Sequence, residues 1–225
     1  MPDMKPITLW GHPFAPNPLK VAIILCELDI PHEIKIVAFE DVKQEPFLKL
    51  NPNGRMPAIE DPNTGIVLWE SGAIIEYLIE TYDTENKLSY ADSPEKWAQS
   101  SWKHLQMSGQ GPYYGQLVWF SNFHQEKLPS VISRYEKELD RVVSVLELQL
   151  TRTGKPYLVG DKCTYADLMF IPWHRAIPGQ PTHDFFTKTW PEKYPVSYEW
   201  NQRLLARDGA KKALADGQKL MQRSH

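Results

Sequence analysis

The hydrophobic positions in the first part of the chain switch between strand-like and helix-like spacing. Residues 7–10 form a short apolar run, and residues 33–37 alternate as a half-buried strand does. Between them, apolar residues at helical spacing predict a helix that ends before Ile30-Pro31: Leu19, Ala22, Ile23, Cys26 and Leu28. A strand, a helix and a second strand joined by a right-handed crossover make the two strands parallel.

A β-hairpin is predicted further along the chain. Residues 58–60 and 66–69 are β-rich and flank a turn that contains Pro, Asn and Gly. The second strand runs into Glu70-Ser71, where helical spacing begins, so Ser71 stands at the expected N-cap. With a short, poorly periodic helix at residues 41–50, the order is βαβ, a helix, then ββα. This order predicts a thioredoxin-like layer of four strands.

The rest of the chain is predicted to be helical. Residues 81–94 are polar and are interpreted as a linker. A long helix is predicted at 94–120, with a bend at 109–112 because a proline and two glycines weaken the hydrogen-bond ladder. Further helices are predicted at about 129–151, 194–207 and 210–221, and irregular structure at 177–190. The predicted domains are therefore residues 1–84, which are α/β, and residues 93–225, which are all-α.

Composition and charge exclude several classes of function. The chain has 225 residues, with 25 basic and 28 acidic side chains and a net charge of −3, so no overall field attracts nucleic acid or an anionic membrane. Two cysteines make neither a disulfide framework nor a metal site, and there is no signal-peptide pattern and no bilayer-length apolar run. We therefore expect a cytoplasmic protein without a metal, and with neither nucleic acid nor membrane as a partner.

Two predicted helix starts carry candidate binding groups. At the first, Asn17 directly precedes Pro18. Asn is a favoured N-cap residue, and Pro is a favoured first helical residue. At the second, Glu70 and Ser71 combine a carboxylate and a hydroxyl. Main-chain N–H groups at a helix start bind an anion, and a neighbouring carboxylate pairs with an ammonium. The second start therefore suits an α-amino acid head group, whereas Asn17 read alone is simply an N-cap.

Four stretches resemble the cytosolic glutathione transferases, and the similarity extends over nearly the whole chain. They are NPNGRMP at 51–57, WESGAII at 69–75, SGQGP at 108–112 and VGDKCTYAD at 159–167. The branch they most resemble contains the fungal nitrogen-catabolite regulator and its enzymatic relatives. The resemblance implies the glutathione transferase architecture, with an α/β thioredoxin-like N-terminal domain that binds glutathione, an all-α C-terminal helical domain that shapes a second site, and a homodimer.

The resemblance places Asn17 at the catalytic position, where many transferases offer Tyr, Ser or Cys to the glutathione sulfur. An amide does not titrate near neutral pH, so Asn17 is expected to donate an N–H to a thiolate rather than act as a base. The helix start and one charge-assisted bond account for about one to two units of thiol pKa depression, at about 1.36 kcal/mol each.

The resemblance also assigns the glutathione-binding residues. Glu70 and Ser71 are expected to hold the γ-glutamyl end. A cis Met56-Pro57 peptide is expected to turn the main chain of Met56 toward the cysteinyl part. Lys43 is assigned to the glycyl carboxylate, against the simpler interpretation of a solvated surface lysine. Arg134 matches an arginine that reaches this region in some relatives, although a charge beside a heptad stripe explains it more simply.

Aromatic residues are the candidates for an electrophile site. His12 and Phe14 lie in the Pro-rich loop 11–18, where His12 is interpreted as part of the wall rather than as a base. Four more follow the predicted bend: Tyr113, Tyr114, Trp119 and Phe120. These are expected to floor an apolar pocket or to meet a second subunit, with core packing as the alternative for at least half of them.

Neither cysteine is a candidate nucleophile. Cys26 lies nine positions after Asn17, about two and a half turns into the helix. Cys163 lies next to Thr164 and is interpreted as a small buried side chain. The loop 11–18 contains no cysteine, so a disulfide reductase built on this chain takes both thiols from glutathione.

Thr164 and Asp167 have the spacing of a capping box, which is a folding element rather than a binding site. We expect Asp167→Ala to lower the stability of the protein by about 0.5 to 2 kcal/mol.

The resemblance therefore implies a glutathione transferase with a role in detoxification. It conjugates glutathione to apolar electrophiles, or it reduces disulfides or peroxides with glutathione, with a slight preference for the second reaction. The alternative is a non-catalytic carrier or a regulatory protein that resembles the nitrogen regulator. That regulator has a long Asn-rich extension before its first strand, whereas only residues 1–6 precede Ile7, which favours the enzyme.

Overall fold

A computed structural model describes residues 4–175, 177 and 179–223, which form two compact units. The first unit comprises the described residues of Met1–Ser89 and Ala206–His225, and the second those of Tyr90–Leu205. This division differs from the predicted domains, because residues 206–223 belong by their contacts to the α/β unit. The predicted helical domain, residues 93–225, includes them.

The first unit contains a four-stranded sheet with the strand order β2-β1-β3-β4. Strand β1 pairs parallel with β2 and antiparallel with β3, and β3 pairs antiparallel with β4. The predicted βαβ unit and hairpin are thereby confirmed. The strands are β1 (Ile7–Gly11), β2 (His32–Ile36), β3 (Ala58–Asp61) and β4 (Ile66–Trp69).

Three helices lie between or after these strands along the chain: α1 (Pro16–Glu27) between β1 and β2, α2 (Phe47–Leu50) between β2 and β3, and α3 (Ser71–Tyr82) after β4. The single helix predicted at 41–50 is wrong. A 3-10 helix at Asp41–Lys43 is separated from α2 by an extended Gln44. The physical reason is Pro46, which lacks an N–H for the helical ladder and disfavours helical backbone in the preceding residue.

Both predicted N-caps are wrong by one or two positions. Helix α1 begins at Pro16 with Ala15 as its N-cap, so Asn17 is the second helical residue. Helix α3 begins at Ser71 itself, with Glu70 as its N-cap. In α1 the cause is a second proline, because Pro16 suits the first helical position, where an N–H has no partner inside the helix.

The core of the first unit lies between the sheet and two packed helices. Helix α1 packs against α3 and against the C-terminal helix Asp208–Arg223. Successive strand residues point to opposite faces, so Leu9 faces one side of the sheet and Trp10 the other. Trp10 packs there with Phe47 and Ala58, beside the half-buried Met56.

Asp61, at the end of β3, ties the sheet to α3. Tyr77 donates a hydrogen bond to its Oδ2 at 2.6 Å, Tyr82 donates to the same oxygen, and the main-chain N–H of Asn63 donates to Oδ1 at 2.8 Å. Burial raises the pKa of Asp61, but these hydrogen bonds together outweigh it and lower the pKa below its usual value. Asp61 therefore contributes stability above about pH 4 that is lost as the pH falls through the folded-state pKa.

We accordingly expect Asp61→Asn to be less stable than the wild type at pH 7 and to lose less further stability between about pH 5 and pH 2. Thermal unfolding followed across this range measures both effects. Glu40→Gln, at an exposed position of the same unit, is the matched control and should keep the wild-type acid dependence. An Asp61→Asn profile parallel to that of the wild type would contradict the assignment.

The second unit begins with the predicted long helix, and its regular α-helical hydrogen bonding is interrupted where the bend is predicted. Helix α4 (Glu95–Leu105) passes through a π-helical turn at Gln106–Gln110 into α5 (Gly111–Asn122). The turn lies immediately before Gly111 and Pro112, and a proline removes one ladder hydrogen bond at such a position. Helix α5 packs against α6 (Pro129–Thr153).

Three short helical segments and one longer helix complete the second unit: α7 (Tyr165–Leu168), a 3-10 helix at Ile171–His174, α8 (Trp190–Lys193) and α9 (Pro195–Leu205). The irregular structure predicted at 177–190 is wrong for Phe185–Thr189, which forms a π-helical turn, and Pro178 lies outside the described residues. Tertiary packing overrides composition here, because Phe186 is buried against Trp190.

The C-terminal helix α10 (Asp208–Arg223) belongs to the first unit. In the ranges 4–175, 177 and 179–223, no helix combines the length and the apolar character needed to cross a bilayer.

Candidate functional site

The turn that joins β1 to α1 lies against the loop that precedes β3. The main-chain N–H of His12 donates to Met56 Sδ at 3.2 Å. A Cβ at Gly11 would lie 2.7 Å from the Pro18 ring and 3.9 Å from the Cβ of Met56, so the close approach requires glycine. The end of β1 and the residue after it are thereby held against Pro18 in the first turn of α1 and against Met56.

The loop at residues 51–57 is braced by its own side chains. Asn51 is buried, its amide donates to the carbonyl oxygen of Arg55, and its Oδ1 accepts the main-chain N–H of Asn53 at 2.9 Å. Lys43 Nζ donates to the carbonyl oxygen of Asn53 at 2.7 Å, which leaves other N–H donors of its ammonium for a ligand. The Met56-Pro57 peptide is cis, as the resemblance implied.

The start of α3 has an unusual backbone. Glu70 adopts φ 68° and ψ 114°, a conformation that L-residues rarely take and that costs about 1 to 3 kcal/mol. Its side chain is exposed, whereas Ser71 is buried as the first helical residue. Because the first N–H groups of a helix have no acceptor inside the helix, this turn offers anion-binding donors beside an exposed carboxylate.

Lys20 is a charged residue near this site that the sequence analysis missed. It is 1% exposed and lies within the run Pro18 to Cys26, in which every residue is buried. Burial lowers the pKa of its ammonium to about 7, although the nearby carboxylate of Glu70 raises it. The available signal was a single lysine in an otherwise apolar stretch of helix.

His12 and Phe14 belong to an exposed aromatic cluster that also includes Phe39. The His12 ring centroid lies 6.1 Å from that of Phe14 and 5.1 Å from that of Phe39. Burial lowers the pKa of His12, so its imidazole is neutral at neutral pH. Phe39 could not be identified from the sequence, because a single aromatic residue that follows a strand and precedes a polar stretch carries no periodic signal.

Tyr114 is a core residue, so its assignment to an electrophile pocket is corrected. Its side chain is fully buried in the second unit, its hydroxyl donates to the carbonyl oxygen of Leu139 at 3.3 Å, and its ring packs near His174 and Phe186. Burial raises the pKa of the Tyr114 hydroxyl well above its usual value. Tyr114 therefore packs in the core, which is the alternative given above for at least half of these aromatic residues.

The other candidates of the second unit keep accessible surface. Tyr113 and Phe120 both pack against Tyr135, at 6.3 and 5.9 Å between ring centroids, and Trp119 is 52% exposed. Arg134 is exposed on α6. Their roles toward an electrophile or glutathione stay predictions.

Both cysteines are buried. Burial raises the pKa of the Cys26 thiol to about 11, although the ammonium of Lys212, 3.9 Å from the sulfur, lowers it. Cys163 is 5% exposed. Since the thiolate is the reactive form, neither cysteine is prepared for nucleophilic attack.

We therefore expect Ellman's reagent at about pH 7.5 to label the native protein slowly and to label both thiols at once after unfolding. The double variant Cys26→Ser/Cys163→Ser should retain glutathione-dependent activity. Rapid labelling of the native protein, together with loss of activity in the double variant, would assign a cysteine to the reaction.

The described ranges contain no cluster of three or more His, Cys, Asp or Glu side chains placed to hold a metal ion.

Comparison with known families gives two matches. Residues 5–80 match the glutathione S-transferase N-terminal domain, and residues 112–208 match the glutathione S-transferase C-terminal domain.

The chain is also similar to individual fungal proteins over almost its whole length. It is 48% identical over 225 residues to the glutathione S-transferase-like protein tpcF of Aspergillus fumigatus, covering 96% of this chain and 98% of that protein.

Two solved structures from Phanerochaete chrysosporium share the fold. Glutathione transferase URE2P6, in complex with oxidized glutathione, has a TM-score of 0.88 and 40% identity, covering 97% of this chain and 99% of that one. Ure2p5, cocrystallized with 1-(S-glutathionyl)-2,4-dinitrobenzene, has a TM-score of 0.87 and 33% identity, covering 99% of each chain.

Proposed function

The chain belongs to the glutathione S-transferase family, and from this premise we propose that it is an enzyme that uses glutathione bound at the first turn of α1, the loop 51–57 and the start of α3. One observation carries the proposal. The start of α1 with Asn17, the cis Met56-Pro57 peptide and the start of α3 with Glu70 and Ser71 belong to one compact unit, in which α1 packs against α3.

Each part of glutathione has a matching group in this cluster. The γ-glutamyl carboxylate takes the first N–H groups of α3, and its ammonium takes the exposed carboxylate of Glu70. The main chain of Met56 pairs with the cysteinyl residue, and Lys43 takes the glycyl carboxylate. The sulfur then lies at the first turn of α1, where Asn17 donates an N–H to the thiolate.

Two reactions follow from a thiolate held in this way. In conjugation, the sulfur forms a bond to an apolar electrophile and the leaving group departs with its electron pair. In reduction, two glutathione thiols become one glutathione disulfide while the substrate disulfide becomes two thiols. The relatives crystallised with oxidized glutathione and with an aryl conjugate support both. The exposed rings of Phe14 and Phe39 favour apolar second substrates.

The test combines a binding measurement with two activity assays. Calorimetry with glutathione should give a dissociation constant for the wild type. Turnover should then be measured with an aryl halide for conjugation and with a bis-hydroxyethyl disulfide for reduction. We expect turnover in at least one assay. Glutathione binding without turnover of either substrate would refute the proposed enzymatic activity. A protein that does not bind glutathione would refute the proposed binding site.

Glutathione binding without catalysis is the second candidate. The observation that favours it is the absence of a titrating side chain at the position of Asn17, since an amide is no general base. Such a carrier or regulatory protein would bind glutathione tightly, and any residual turnover would be indifferent to the replacement of Asn17.

A further inference from the structure

Strand β2 lies at an edge of the sheet. In the described part of the chain, β1 is the only strand that pairs with it. At the two ends of β2, the N–H of Ile7 donates to the carbonyl oxygen of Pro31 at 2.9 Å, and the N–H of Val37 donates to the carbonyl oxygen of Gly11 at 3.2 Å. Because the main-chain groups of successive strand residues point to alternate sides, the odd-numbered residues of β2 bond to β1.

The open edge of β2 is formed by the main-chain N–H and C=O groups of the even-numbered residues His32, Ile34 and Ile36. All three residues keep accessible surface. Unpaired main-chain groups along a strand are a template on which another extended chain adds as a further strand. The edge of β2 therefore has the groups needed to bind the main chain of a peptide.

A groove of about 750 Å³ lies between this edge and α10. His32 and Ile34 line it on the side of the strand, and α10 lines it on the other side. Apolar side chains make up much of the remaining lining: Leu25, Ile30, Pro31 and Leu220. A volume of this size and an apolar lining with a few polar groups are typical of a ligand site.

The side of the groove formed by α10 carries a net positive charge. Lys212 Nζ lies 3.0 Å from one carboxylate oxygen of Asp216, and Lys219 Nζ lies 3.6 Å from the other. Lys212 also donates to the sulfur of Cys26 at 3.9 Å. Each ammonium has three N–H donors, so this pair of lysines has donors left for a further anion. This side of the groove therefore favours an acidic group.

Two acidic residues of the opposite side have other partners. Glu33 is next to Ile34 in β2, so its side chain points to the opposite face of the sheet, where it accepts from the Thr8 hydroxyl at 3.1 Å. Asp29 is 86% exposed and lies 3.9 Å from the ammonium of Lys87. Neither carboxylate neutralises the charge on α10.

We propose that the groove between β2 and α10 binds an extended peptide segment of a partner protein, which adds to the edge of β2 as a further strand. Side chains of such a strand alternate between the two faces of the sheet, so every second side chain faces the groove. The segment that fits has an acidic residue against Lys212 and Lys219 and, two positions away, an apolar residue against Leu25 and Leu220. The groove adjoins the C-terminal end of α1, whereas Asn17 lies at its start, so this function is separate from the proposed glutathione site.

The test uses four capped pentapeptides and calorimetry with the full-length protein. The parent peptide is acetyl-Thr-Asp-Thr-Val-Thr-amide, whose acidic and apolar side chains share one face of an extended chain. The second peptide has Lys in place of Asp. The third and fourth are the parent with N-methyl groups on the Thr residues or on Asp and Val, so each lacks one alternate set of main-chain N–H donors.

We expect the parent peptide to bind with a dissociation constant below about 1 mM and at least about 10-fold more tightly than the Lys peptide. One N-methylated peptide should lose at least about 10-fold in affinity and the other should stay within about threefold, because only alternate N–H groups of an added strand meet β2. Saturating S-methylglutathione should leave the affinity of the parent peptide unchanged.

The matched protein variants are Lys219→Glu and Lys211→Glu. Both make the same charge change at an exposed position of α10, but Lys211 does not line the groove. Lys219→Glu should weaken the binding of the parent peptide at least about fivefold, whereas Lys211→Glu should stay within about twofold of the wild type.

Four results would overturn the proposal. They are no binding of the parent peptide, equal effects of Lys219→Glu and Lys211→Glu, competition between the peptide and S-methylglutathione, and the same affinity for both N-methylated peptides. The last result would show that the groove takes an acidic side chain without strand pairing, or that N-methylation acts regardless of the edge. None of these results bears on the glutathione-dependent turnover, which is measured separately.

Discussion

Replacing Asn17 with alanine is expected to lower kcat/KM for glutathione-dependent turnover by about 10- to 100-fold, because one charge-assisted hydrogen bond to the thiolate is lost. The loss should be accompanied by a rise of up to about one unit in the pKa of the bound thiol, because the helix start still supplies the rest of the depression. The pH dependence of kcat/KM for the second substrate, measured at saturating glutathione, reports this pKa, because the form that meets the second substrate is then the glutathione complex.

The position of Asn17 in the helix makes this prediction sharper than the sequence allowed. If Asn17 were the N-cap of α1, its replacement by alanine would lower the stability of the protein by about 1 kcal/mol. The N-cap is Ala15, and Asn17 is the second residue of α1, so Asn17→Ala should leave the melting temperature nearly unchanged. A variant with normal thermal unfolding and greatly reduced turnover therefore separates a catalytic role from a capping role.

The control for Asn17→Ala is a ligand without a thiol. S-methylglutathione should bind the variant and the wild type within about twofold, because Asn17 is proposed to contact only the thiolate. Unchanged turnover in Asn17→Ala would contradict the mechanism, and a lowered melting temperature with proportional loss of activity would return Asn17 to a role in folding.

Much of the α/β unit was predictable because its signals are local. Alternation in residues 33–37 and the turn between residues 58 and 69 predicted strands that the structure confirms. The interruption of the α-helix before Pro112 was predictable for the same reason, since proline removes its own donor. Errors occurred where two local signals compete, as at Pro16 and Pro18, both of which suit a first helical turn.

The features that the sequence analysis missed depend on distant parts of the chain. Periodicity shows that α1 has a broad apolar face, but it does not show that α10 covers part of that face. Arg207, just before α10, donates to both carboxylate oxygens of Glu27 at 2.9 and 2.6 Å, a contact across 180 positions. The effect of Glu70 on the pKa of Lys20 is equally non-local, so it became visible only in the folded chain.

The energetic importance of Asp167 was also only partly predictable from the sequence, because it depends on contacts with distant residues. Its spacing from Thr164 predicted a capping box, which the structure confirms. The structure adds that the carboxylate is fully buried and accepts four hydrogen bonds. The donors are Leu158 N, Thr164 N, Thr164 Oγ1 and Trp200 Nε1, each at 2.9 Å. Asp167 therefore joins the segment before α7 to α9, in addition to capping α7.

Asp167→Ala is accordingly expected to lower the free energy of unfolding by about 3 to 5 kcal/mol, more than the 0.5 to 2 kcal/mol of a lost cap alone. The substitution leaves four buried donors without their acceptor, and each unsatisfied buried group costs about 1 to 3 kcal/mol before water or local relaxation recovers part of it. Urea denaturation of the wild type and the variant measures the difference.

Asp161→Ala is the matched control for this prediction. Asp161 is exposed and its partner is the ammonium of Lys155 at 2.8 Å, so its removal should cost less than about 1 kcal/mol. Comparing the two stability losses tests which feature of Asp167 matters. It distinguishes the four buried donors left without an acceptor from the mere loss of a negative charge in this segment. Equal losses in the two variants would refute the explanation, as would a fall in glutathione affinity at Asp167→Ala without a change in unfolding.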